Sequence, residues 1–298
     1  MTRLTSAYNL LKMTALLTFI LVSGCMSSKT EWNHFEKPAE TGNVSALMAK
    51  AIEQAGVADN REKVMELIHT YESVIRIDPA DYEALWSLGS YYLLLGMAYP
   101  GSMDEKEGHY KKAVTYCERA MYTNPDFRGL SGQGEKPWEA CGALSKREIA
   151  AMYYWCAAQS AYWTECLGRT GRFLNRRLPS RLSKMMKRIG EVDPSWEEGR
   201  AYYAKAVYYA MLSNFYGGDL RKAAYFFKRC IKKGPGRLSR RWGRAKYLYT
   251  RKDNRKGFRE DLEWVIAQDP ESAKGPYPWN VYFQRDAGEM LSKIEEYF

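Results

Sequence analysis

Histidine is almost absent from this chain of 298 residues, which has only His34, His69 and His109. With so few imidazoles, and with six cysteines that nowhere stand at the close spacings of a zinc site, the sequence implies neither a metal centre nor a cofactor. No nucleophile stands beside a base, no glycine-rich loop reads as a phosphate cradle, and no two carboxylates pair as acid and base. Glu165, set among aromatics, is a lone carboxylate and does not define a reaction. These absences point away from an enzyme and toward a binding protein. Long hydrophobic runs are missing as well: MTALLTFILV, from Met13 to Val22, falls well short of the roughly 20 residues that a membrane-spanning helix needs.

Arg3 and Lys12 flank that run, which has the length of a signal-peptide core. Val22-Ser23-Gly24-Cys25 follows it and resembles a bacterial lipobox, in which the Cys25 thiol is acylated and becomes the first residue of the mature chain. The expected organisation is a lipoprotein signal peptide at 1–24, a lipidated polar tether at 25–43 and a folded domain at 44–298. Such a chain sits on the periplasmic face of a bacterial membrane, the outer more readily than the inner, held by its N-terminal lipid.

The formal charge of +10 is unevenly spread. Leu167 to Arg188 carries eight basic residues and no acid, and Lys228 to Lys256 carries thirteen against Asp253 alone. In a cytosolic protein such clusters suggest nucleic acid. Export argues against nucleic acid and for anionic lipid headgroups, an acidic partner or a carboxylate solute, with most of the charges on solvated helix faces. Apart from Cys25 there are five cysteines, so at least one stays unpaired. Cys156 and Cys166 read as lying on one helix, about 15 Å apart, too far to bridge. Cys117 and Cys230 read as small core hydrophobes.

The clearest element runs from Ala201 to Pro235. Ala201, Ala204, Tyr208 and Met211 recur at helical spacing, as do Ala223, Phe227 and Cys230. Between them Gly217 and Gly218 can end the first helix and Asp219 can cap the second, so the stretch predicts a helical hairpin. Counting 12, 8 and 5 residues back from Pro235 gives Ala223, Phe227 and Cys230, the second-helix pattern of a tetratricopeptide repeat. The same offsets from Pro79, Pro125, Pro194 and Pro270 give Leu67, Tyr71 and Val74; Ala113, Cys117 and Ala120; Leu182, Met186 and Ile189; and Phe258, Leu262 and Val265. Because the prolines are unevenly spaced, the predicted fold is all-α: an irregular tetratricopeptide-like array of antiparallel helix pairs.

Elsewhere, Asp81 caps a helix to about Ala98 in which Gly89 permits close approach of a partner helix. The glycine-rich stretch from Asn124 to Leu144 reads as a surface loop or lid. Two capping boxes, Ser145-Lys146-Arg147-Glu148 and Ser195-Trp196-Glu197-Glu198, are expected to open helices. An aromatic stripe of Tyr154, Trp155, Tyr162 and Trp163 follows the first, and core packing accounts for such stripes more often than a ligand does.

The lipobox, the irregular helix pairs, the segments AMYYWCAAQSAYWTECLG and NFYGGDLRKAAYFFKRCI, and YLYTRKDNRKGFREDLEWVIAQDPE before a closing helix together resemble the T component of tripartite ATP-independent periplasmic (TRAP) transporters. The resemblance spans about Ala46 to the C-terminus. It implies a periplasmic lipoprotein assembling as a homo-oligomer, a trimer, whose partner is the periplasmic solute-binding protein and whose pores or clefts pass on a small hydrophobic or carboxylate ligand. It further implies that Tyr154, Trp155, Trp163, Tyr203, Tyr209, Phe215 and Tyr216, aromatics of the two matched segments, line the ligand or partner site. The basic runs depart from the family pattern. The competing expectation is a tetratricopeptide-like scaffold lipoprotein of cell-envelope assembly.

Overall fold

The computed structural model describes residues 37–298, so the signal peptide, the lipobox and Cys25 lie outside the described residues. The described chain is all-α, with no strand among these residues. Its first four helices are α1 (Val44–Ala55), α2 (Arg61–Ile77), α3 (Tyr82–Ala98) and α4 (Met103–Tyr122). Each starts where a short polar side chain accepts a hydrogen bond from an otherwise unpaired amide: Asn43 from Ala46, Asn60 from Lys63, Asp81 from Ala84 and Ser102 from Glu105. Of the tether, Ala39 and Glu40 lie against the end of α2, donating their amides to the Arg76 carbonyl.

Asn124 to Leu144 corrects the expectation of a surface loop or lid. Asn124 caps a helix that begins at a proline, α5 (Pro125–Gly132), and α6 (Pro137–Ala140) follows. Phe127, Trp138, Ala140 and Leu144 are buried, so the segment is part of the core despite its glycines. Then come α7 (Ile149–Ala161), α8 (Arg169–Leu174), α9 (Leu178–Val192), α10 (Trp196–Met211), α11 (Leu220–Lys233), α12 (Leu238–Gly243), α13 (Arg255–Ile266) and α14 (Tyr277–Ser292). Two stretches widen into π-helix, Tyr162–Cys166 after α7 and Arg244–Tyr249 after α12.

The second capping box is also corrected. Ser145 and Glu148 form theirs, but Ser195 caps nothing, because Glu197, Glu198 and Gly199 take left-handed backbone conformations at φ 42°, 56° and 88°. Their carboxylates are drawn to arginines and a lysine instead of to helix amides.

Consecutive helices pack in pairs, α1 on α2, α3 on α4, α10 on α11 and α13 on α14, while α7 lies against α3, α4 and α9. All the positions at fixed offsets before the five prolines, three before each, are buried. One continuous core runs from Ala51 to Ile294, and α10 and α11 share a smaller one built on Tyr203, Ala206, Phe227 and Cys230. The hairpin turn forms as its residues predict: Gly217 has φ 89° and Asp219 accepts from the amides of Arg221 and Lys222 at 2.9 and 3.1 Å. None of the five described cysteines is paired.

Glycine permits a close helix contact. A Cβ on Gly89 would stand 2.4 Å from Cys117 Sγ and 3.2 Å from the Ala113 carbonyl oxygen, so α3 meets α4 there with no room for a side chain. Gly89→Ala is expected to lower stability by about 2 kcal/mol in urea unfolding, and Cys117→Ala in the same chain to return part of that loss.

A second buried contact joins α4 to α7: Glu118, 2% exposed, accepts from Trp155 Nε1 at 2.8 Å. Burial pushes the Glu118 carboxyl up to about 7, against the opposing effect of the Trp155 hydrogen bond. The folded chain therefore favours the protonated acid. The stability it contributes is complete below the ordinary value of 4.5 and is lost as pH rises through about 7. On the order of 3 kcal/mol should disappear across that window at about 1.4 kcal/mol per pH unit. Thermal unfolding of Glu118→Gln should show a flatter dependence on pH than the parent chain between those limits.

Candidate functional site

Six helices, α3, α7, α9, α10, α12 and α14, leave a void of about 90 Å³ where they meet. Eight aromatic side chains line it: Tyr153 and Tyr154 from α7, Tyr203 and Tyr208 from α10, Trp242 from α12, Trp279 and Phe283 from α14, and Tyr247 from the second π segment. The rings brace one another. Tyr154 stacks between Trp86 at 5.8 Å and Trp279 at 6.5 Å, and Trp242 leans on Phe283 at 4.8 Å. Ala157, Ala204 and Val207 supply the small side chains that leave space unfilled.

One cation belongs to this apolar wall. The Arg200 guanidinium lies over the rings of Tyr153 at 4.3 Å and Tyr154 at 5.2 Å, and pairs with Glu197 Oε2 at 2.6 Å. Glu197 also meets Arg237 at 3.2 Å, and Glu198 meets Arg237 at 3.0 Å and Lys274. The left-handed turn is what aims both carboxylates at these cations. Arg240, 1% exposed, donates through Nη2 to the Glu197 carbonyl at 3.1 Å and lies 4.9 Å over Tyr203. Its Nε and Nη1 have no partner among the described residues, and burial lowers its pKa. The cluster thus keeps one buried guanidinium uncompensated beside the aromatic wall.

Beside the void lies an open cleft of about 770 Å³, and Met97, Glu165, Met211 and Tyr247 line both and form the neck between them. Glu165 is held at this neck by the Tyr110 hydroxyl at 2.7 Å and Lys106 at 2.5 Å. Beyond the neck the cleft turns polar, with Lys246 paired to Asp286 at 3.1 Å, and Arg285 and Glu289. Both π-helical segments reach the neck, one through Glu165 and the other through Tyr247. Insertion of an extra residue into a helical turn, which re-aims side chains, is commonly found at functional sites. The void alone is far smaller than the roughly 300 Å³ or more of a small-molecule site. A ligand entering from the cleft would need the flexible Met97 and Met211 side chains to swing aside.

Of the aromatics singled out in the sequence, Tyr154 and Tyr203 line the void. Trp155 points to Glu118, Trp163 packs edge-on to Tyr216 at 5.4 Å, and Tyr209 stacks on Phe226 at 5.8 Å. Phe215 and Tyr216 border a separate outer cleft with Arg176. The sequence reading missed Arg200, Tyr153, Trp242, Tyr247, Trp279 and Phe283. Tyr153 adjoins Tyr154 in the same stripe and was within reach, whereas the α12 and α14 residues are far away in sequence.

The unpaired guanidinium gives a stability test. Arg240→Met should leave the protein as stable or up to about 2 kcal/mol more stable in urea unfolding, because it removes a buried charge without stranding a partner carboxylate. Arg200→Met should cost about 2–3 kcal/mol, since it takes a cation from Glu197. A loss for Arg240→Met as large as that for Arg200→Met would contradict this account of the cluster.

Comparison with curated proteins finds no match. The family model described as TRAP transporter T-component matches residues 61–298, a span that takes in α2 to the C-terminus and every residue of the void and its cleft. The chain belongs to the TRAP transporter T-component family.

Proposed function

We propose that this chain is a lipid-anchored periplasmic accessory component of a TRAP-type solute transporter that binds the solute-binding protein and passes a small ligand through the cleft into the aromatic void. Membership of the T-component family supports the transporter association. The observation that carries the ligand reading is the adjacency of an aromatic void and an open cleft, with two methionines, Glu165 and Tyr247 lining both. Such a wall favours an apolar body, and Arg200 favours an anionic end. No helix among the described residues is long and apolar enough to cross a membrane, which suits anchoring by lipid at Cys25. The homotrimer and the tetratricopeptide-like pairing of helices belong to the same proposal, since packed helix pairs present concave surfaces to partners.

Two measurements test it. The full chain should retain the solute-binding protein of a neighbouring transporter operon when purified under native conditions at low salt, and failure to do so removes the partner reading. Anilinonaphthalene sulfonate, an apolar anion, should bind the parent chain with enhanced fluorescence. Ala204→Phe, which fills the void, should weaken that binding at least about tenfold, or about 1.4 kcal/mol, while leaving partner retention intact. Equal dye binding by both would place the ligand elsewhere.

A further inference from the structure

The outer cleft and the short helix beside it make a second site, remote in character from the aromatic void. Helix α8 exposes Phe173 (60%) and Leu174 (44%), and the turn at 214–216 exposes Phe215 (85%). These are apolar side chains standing out from the surface. The two tips are contiguous through Arg176, whose guanidinium lies 5.4 Å from the centre of the Phe173 ring and which lines the outer cleft with Phe215, Tyr216, Ser180 and Ser183.

Both tips are rigidly held. Arg172 donates to the carbonyls of Trp163 and Thr164 at 3.1 and 2.8 Å, tying α8 to the first π segment. Tyr216 packs against Trp163 on the same segment and against Phe215 at 5.0 Å. The exposure of the phenylalanines is therefore a property of the fold and not of a loose loop.

Around them the charge has one sign. Arg169, Arg176 and Arg177 are exposed and form no ion pair with a described residue, and no acid occurs between Leu167 and Gly190. Asp219, the acid nearest the turn in sequence, is occupied in capping α11.

We propose that this face binds the surface of an anionic phospholipid membrane, with Phe173, Leu174 and Phe215 entering the headgroup layer and Arg176, Ser180 and Ser183 receiving a lipid phosphate. Protruding aromatics ringed by unpaired cations match a bilayer interface, which takes up apolar wedges and attracts basic residues. An acidic protein would account for the cations and leave three protruding apolar side chains without a reason. The face orients the chain on the membrane independently of any N-terminal lipid.

Hydrogen exchange on the full chain bound to vesicles tests this. On phosphatidylglycerol-rich vesicles, amides in 168–177 and 213–218 should exchange at least about tenfold more slowly than on pure phosphatidylcholine, with the difference shrinking at high salt as charges are screened. Phe173→Ser with Phe215→Ser, and separately Arg176→Gln, should abolish the difference; all three positions are exposed, and an unchanged thermal midpoint would show that the fold is intact. Equal exchange on both kinds of vesicle would overturn the proposal. So would protection that survives the substitutions, or protection that appears only when the solute-binding protein is added.

Discussion

Everything around the candidate site depends on how α10 is started. Glu197, Glu198 and Gly199 adopt left-handed conformations, which cost roughly 1–2 kcal/mol for each residue with a side chain. Ion pairs to Arg200, Arg237 and Lys274 offset that cost. A conventional cap at Ser195 would have turned the carboxylates back toward the helix amides. The left-handed turn gathers them among the cations, and α10 leaves it with Arg200 on the aromatic wall and Tyr203 between the two cores.

That placement explains why the space beside α10 is incompletely filled. Rings from α7, α12 and α14 hold one another at fixed centroid distances, and alanines stand where larger side chains would close the gap. Rigid rings cannot collapse into a void as methionines can. The wall is stiff, and its neck, with Met97 and Met211, is compliant.

Much of the fold was legible in the residues. Asparagine, aspartate and serine before apolar periodicity mark the helix starts, Gly89 marks the close contact of α3 with α4, and the offsets before the five prolines name buried positions throughout. Where the reading failed, a local signal was outweighed. Glycines in 124–144 suggested a lid, but Phe127, Trp138 and Leu144 gain more by burial than the glycines lose in chain entropy. A capping-box pattern at Ser195 yielded to arginines from α12 and the turn before it, which local sequence does not bring near.

The candidate site was less legible, for a related reason. Composition and periodicity establish an all-α chain rich in aromatics, with basic stretches and few groups for catalysis, because these follow from residue type and spacing along one helix. Which aromatics share a wall depends on the packing of helices far apart in sequence, so Tyr154 meets Trp279, and Tyr203 meets Arg240, only once the chain has closed. The hairpin at Ala201 to Pro235 shows both sides: its turn is written in Gly217 and Asp219, whereas the partition of its rings among void, inner core and outer cleft is set by what packs against each face.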